Sequence, residues 1–109
     1  MESVNGKLVK IFIEGSDKFK HEPLYKAIIE KLEELNISGA TVLRGIEGFG
    51  TSKELHLDIF EVAARKLPIV IETLVLSQEK LNELIEGVSP MIKTGKIAIT
   101  DNVTVLSFK

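Results

Sequence analysis

In 109 residues the chain has no cysteine and no tryptophan, and its aromatic content is only 6%. The missing cysteine excludes disulfides, thiolate metal sites and cysteine nucleophiles. There is no excess of positive charge: 14 Lys and Arg stand against 16 Asp and Glu, net -2, with no run of one sign. That argues against binding a nucleic-acid backbone, which needs a basic face, and Phe12 is the lone aromatic suited to stacking a base on a central strand. Long hydrophobic runs are also lacking. No segment approaches the roughly 18 apolar residues of a membrane span, and Met1 to Lys10 has no signal-peptide core. The expectation is a cytoplasmic protein without direct membrane insertion. The two histidines, His21 and His56, fall in separate loops, so no metal site is expected.

What is present suits one globular domain over residues 1–109: 44% hydrophobic and 28% charged residues. Leu8 to Glu14 alternates as a strand, followed by a polar loop from Gly15 to Glu22. Pro23 then opens a helix carrying Leu24, Ile28, Leu32 and Leu35, which Asn36 and Gly39 stop. Thr41 to Glu47 reads as a second strand. Ile69 to Leu76, opened by Pro68, is a third, in which Glu72 is the only charge. Ser77 is placed to cap a helix bearing Leu81, Leu84, Ile85 and Val88, and Pro90 kinks or restarts it at Ser89. Ile97 to Ile99 and Val103 to Phe108 read as short strands about a turn at Asp101-Asn102. The order β-α-β-β-α-β places both helices on one face of an antiparallel sheet, an α+β ferredoxin-like sandwich. Phe12, Leu43, Val70, Leu74, Leu106 and Phe108 then exceed what two helices can cover. Another copy of the chain is the expected cover.

The most unusual local phrase is Arg44-Gly45-Ile46-Glu47-Gly48-Phe49-Gly50. Three glycines in six residues after a strand permit positive φ and leave N–H groups unshielded, suited to phosphate oxygens, with Arg44 as a bidentate cation. A β-bulge or plain hairpin loop is the alternative. Glu47 can orient a ribose or pair with Arg44, and Phe49 can stack on a base or plug the loop.

The phrase Gly48-Phe49-Gly50, Leu67-Pro68 and Thr94-Gly95-Lys96-Ile97 resemble the PII signalling proteins. The fuller run, Lys10 to Ile13, Pro23-Leu24-Tyr25 and Ala40 to Gly50, resembles the PII-like branch long catalogued only as a domain of unknown function. The resemblance covers nearly the whole chain. It implies a homotrimer with sheets facing inward and adenine-nucleotide sites (ADP, ATP or AMP) in the clefts between subunits. One wall would be Gly48, Phe49 and Gly50, and the other Thr94, Gly95 and Lys96. It also implies a loop, about Thr51 to Arg65 and including Thr51, Ser52, Lys53 and His56, that reports the ligand to a target protein. A membrane transporter or channel is a familiar kind of target in this family.

Several PII features are missing. Thr51-Ser52-Lys53 stands where a glutamine helps hold Mg-ATP, the only tyrosine is Tyr25, and Val105, Leu106 and Ser107 replace a phosphate-gripping arginine pair. These departures argue against tight Mg-ATP binding and 2-oxoglutarate sensing. Three classes follow: a non-enzymatic nucleotide-binding regulator, a ligand-free oligomeric adaptor, and a small phosphate-handling enzyme. The last needs a phosphate cradle after the first strand, where Glu14-Gly15-Ser16-Asp17 is acidic.

Overall fold

The structure, a computed structural model, describes residues 1–49 and 67–108. Its longest elements are two paired strands, β1 (Glu2–Glu14) and β6 (Lys96–Ser107). Between them come a small hairpin, β2 (Lys18–Phe19) with β3 (Glu22–Pro23), then α1 (Leu24–Glu34), β4 (Thr41–Arg44), β5 (Pro68–Val75) and α2 (Gln78–Val88). The four longer strands form one antiparallel sheet in the order β4-β5-β1-β6. Two helices on a four-stranded antiparallel sheet are the α+β sandwich expected.

The core lies between one sheet face and the helices. Val9, Ile11 and Ile13 of β1, with Ile69, Ile71 and Val75 of β5, meet Leu24, Ala27, Ile28 and Leu32 of α1. Leu81, Leu84 and Val88 complete it from α2. Each large apolar side chain removed from water here contributes roughly 1.5–3 kcal/mol. Ser77 caps α2 as its residue type requires, its hydroxyl accepting from Lys80 N–H at 3.1 Å. The helix ends at Val88 and passes into a single 3-10 turn, Ser89–Met91, because Pro90 cannot continue an α ladder. Lys80 Nζ donates to the Leu35 carbonyl at 2.8 Å, which ties α2 to the C-terminal end of α1.

Three boundaries differ from the sequence reading. The second strand ends at Arg44 rather than Glu47, where Gly45 N–H donates to Pro68 O at 2.8 Å and the chain leaves the sheet. The first strand begins at Glu2, since Glu2 to Gly6 pairs with Ser107 to Val103 although Glu2, Ser3 and Asn5 are polar. The last two strands are one strand. Asn102 does adopt positive φ (58°), but within a bulge that sets Asp101 and Asn102 opposite Lys7. Lys7 Nζ holds Asp101 Oδ1 there at 2.8 Å.

Candidate functional site

Strand register places the face away from the helices row by row. One row is Leu43, Val70, Phe12 and Lys96; the next is Thr41, Glu72, Lys10 and Ala98; the third is Leu74, Leu8 and Thr100. Phe12, Leu43 and Leu74 remain 41%, 46% and 39% exposed. The face is thus two largely apolar rows about a central charged pair. Of the other residues expected on it, Val70 is half-buried there, whereas Leu106 pairs with Ser3 on the opposite face beyond the bulge and Phe108 lies past the end of β6.

The residues singled out in sequence gather at one end of this sheet. Arg44 closes β4, opposite Ile69, so its side chain starts on the helix side of the edge strand. Gly45 and Gly48 pack on Pro68: an added Cβ would stand 2.7 Å and 3.0 Å from its Cγ. Neither has positive φ, so a proline ring rather than a left-handed turn accounts for these glycines. Glu47 is exposed, and Phe49 is 81% exposed. Gly50 and the loop residues Thr51, Ser52, Lys53 and His56 lie outside the described residues. Thr94, Gly95 and Lys96 are exposed at the start of β6, the opposite edge of the same sheet end. Two strands separate the walls, three spacings or roughly 14 Å. The chain brings them to one end but not together.

The loop after β1 is bonded to itself and to the residue before β5. Asp17 Oδ2 accepts from Glu14 N–H at 3.0 Å, and Gly15 N–H donates to Leu67 O at 2.9 Å. His21 is exposed at the tip of the β2–β3 hairpin.

A concavity that sequence reasoning missed lies at the other end of β4. About 550 Å³ in volume, it is bounded by Ser38, Gly39, Ala40 and Thr41 before and in β4, Glu72, Thr73 and Leu74 in β5, and Leu8 in β1. The buried Thr73 hydroxyl donates to the Gly39 carbonyl and so fixes the connection that forms one wall. Thr73→Val is expected to lower stability by about 1 kcal/mol. It should also speed amide hydrogen exchange at residues 39–41; unchanged exchange there would show that the bond does not hold the wall.

The DUF190 family model, described as "Uncharacterized ACR, COG1993", matches residues 6–105. The chain belongs to the DUF190 family. A UPF0166 protein of Methanocaldococcus jannaschii is 37% identical over 99 residues, 90% of each chain. One from Aquifex aeolicus is 33% identical over 88 residues, covering 81% of this chain and 83% of that one. Among solved structures, this DUF190 member is similar to CPII, a nitrogen regulatory PII-like protein of Thiomonas intermedia K12 solved with ADP, AMP and bicarbonate. The TM-score is 0.72 at 20% identity, over 95% of this chain and 91% of CPII. A putative PII-like signalling protein of Thermus thermophilus gives 0.66 at 23% identity, over 97% and 94%. The DUF190 chain therefore has the PII-like, ferredoxin-like fold. Among its described residues no helix is long and apolar enough to cross a membrane.

Proposed function

We propose that this DUF190 protein is a non-enzymatic, cytoplasmic regulatory protein, single-domain and homotrimeric, that binds an adenine nucleotide and reports it to a target protein through the loop after β4. One observation carries the reading. The two walls expected to hold the ligand sit on opposite edges of one sheet end, roughly 14 Å apart, so a second copy is what would bring β4 of one chain to β6 of another. The half-exposed rows about Lys10 and Glu72 supply a surface for that copy.

Charge orients the ligand. Glu72 makes the concavity unsuited to phosphate, whereas its apolar walls, Leu8, Ala40 and Leu74, suit a flat base. The phosphates would lie at the far end of β4, three residues or about 10 Å along, against Gly45, Gly48 and Phe49. Arg44, and Thr94, Gly95 and Lys96 of the next copy, would add donors and positive charge there, with Glu47 near the ribose. The ADP and AMP bound to CPII, which shares this fold, support an adenine nucleotide as the ligand class.

Calorimetric titration with ADP, AMP and ATP, with and without Mg, tests this beside sedimentation of the same sample. One saturable site per chain in a trimer is expected, without product formation. In Gly48→Val the affinity should fall at least about tenfold, because the branched side chain crowds the Pro68 ring and displaces the loop base. A folded trimer that binds none of the panel would exclude the sensing role and leave the ligand-free adaptor.

A further inference from the structure

Two strands run on past the helices. β5 pairs with β1 no further than Lys7 opposite Val75, so among the described residues Glu2 to Gly6 has β6 as its one ladder partner, over Val103 to Ser107. Ser3, Asn5, Thr104 and Leu106, on the helix side of this ribbon, are all exposed, so neither α1 nor α2 covers it. Its other side continues the open face of the sheet. A Cβ at Gly6 would stand 3.0 Å from Leu76 Cδ2 and 3.3 Å from Val105 Cγ2, which places both side chains over Gly6 on that face. With Val4, Val103, Leu8 and Leu74 they form an apolar patch, bounded by the row of Lys10 and Glu72 at one end and by Glu2 at the other. Val4, Leu74 and Leu76 are 39%, 39% and 53% exposed.

The bulge in β6 creates this patch. On a straight ladder past Thr100, Asn102 and Thr104 would take the open face, and Val103 and Val105 the helix side. Setting Asp101 and Asn102 together opposite Lys7 absorbs one residue and reverses both assignments. The ribbon is therefore apolar on its open face and, but for Leu106, polar on the other. A two-stranded ribbon is at best marginally stable in water and needs a third strand or a packed apolar face. We propose that this outer ribbon, Glu2 to Gly6 with Val103 to Ser107, is an assembly element whose apolar side packs on a second copy of the chain. A partner that supports the chain's own strands must be present whenever the chain is folded, which a second copy is and a transient target is not. The patch also runs on from the row of Leu8 and Leu74, on the face that the reading above gives to a second copy. The inference rests on the oligomeric part of that reading, needs no ligand, and adds the ribbon to the contact.

Val105→Asp and Thr104→Asp put the same charge at adjacent positions on opposite sides of the ribbon. Sedimentation equilibrium over a wide range of concentration compares both with the wild type. Val105→Asp is expected to weaken assembly about 100-fold or more, because a carboxylate buried in an apolar contact loses its hydration. Thr104→Asp should leave assembly within about threefold of the wild type. Val105→Thr, which keeps the shape and trades one methyl for a hydroxyl, should weaken it about tenfold, and it decides the matter should Val105→Asp fail to fold. Amide hydrogen exchange of the assembled wild type reads the ribbon directly. Its hydrogen-bonded amides should exchange within about 100-fold of those of Val9 to Ile13, whereas a ribbon without a partner would exchange like a frayed terminus.

Assembly unchanged in both Val105 variants would overturn the inference and leave the trimer reading standing. So would equal losses in Val105→Asp and Thr104→Asp, which would report a weakened ribbon rather than a contact on one side. Exchange of the ribbon at the rate of a frayed terminus in the assembled wild type would overturn it as well. A wild type that sediments as a dimer, dissociated by Val105→Asp and not by Thr104→Asp, would remove the trimer and support the ribbon contact. A wild type that is a monomer at every concentration would remove both.

Discussion

Gly95→Ala is expected to lower the unfolding free energy by about 2–4 kcal/mol. An ideal Cβ at Gly95 would stand 2.6 Å from the Phe12 carbonyl oxygen, with Ile92 Cγ2 at 3.2 Å and Ile13 Cγ2 at 3.3 Å. The side-chain methyls can give way by tenths of an ångström. The carbonyl cannot, because it belongs to a strand paired on both sides, with Phe12 opposite Val70 and Lys96. Relief requires β6 to lift from β1 at its first residue, exposing the Ile97 and Ile11 pair behind it. Gly39→Ala is the control, since nothing lies within 4 Å of its added Cβ. Chemical denaturation measures both, and a shift below about 0.5 kcal/mol for Gly95→Ala would show that the turn can move outward freely. Gly95 also belongs to the proposed phosphate wall, so weakened ligand binding in this variant would count as evidence about the site only after its loss of stability is subtracted.

How legible each element is in the sequence depends on where its cause lies. The start of α2 is legible because a cap is local chemistry: Ser77 accepts from an N–H three residues on, and both are adjacent in the chain. The end of β4 is not. Alternation runs on through Ile46, but the ladder stops at the Gly45 to Pro68 bond, and only the sheet decides that. Asp101-Asn102 is an intermediate case. The residue type correctly signals a left-handed backbone, yet Lys7 and the continuing pairs from Gly6 to Glu2 convert the expected turn into a bulge. Glu2 to Gly6 carries no alternating pattern and becomes a strand through its partner.

The candidate site divides in the same way. The glycine phrase was visible, but its packing was not: Pro68, some twenty residues away, leaves no room for a Cβ at Gly45 and crowds one at Gly48. The concavity is assembled from residues 8, 38–41 and 72–74, and its shape depends on a backbone carbonyl held by Thr73. No contiguous motif can show it. Its one trace in the sequence is the solitary charge of Glu72 in an otherwise uncharged strand.

Phe12→Glu is expected to convert the proposed trimer to a monomer at micromolar concentration. Phe12 stands in the row with Leu43 and Val70, beside the Lys10–Glu72 pair that already places one carboxylate on this face. A carboxylate at position 12 would face only the exposed Lys96 across the register, and burying that pair against another copy still costs several kcal/mol per chain. The fold should survive, because the side chain at position 12 points away from the helices and is 41% exposed in the single chain. Sedimentation equilibrium reads the mass, circular dichroism reads the fold, and ADP titration of the same sample reads the site. A folded monomer with no ADP affinity would mean that the walls on β4 and β6 meet only across copies, so that interface and site are one structure. A folded monomer that keeps its affinity would locate the whole site in the concavity and remove the need for the second wall. A trimer that persists would place the contact between copies elsewhere, and the open face of the sheet would then need a different partner.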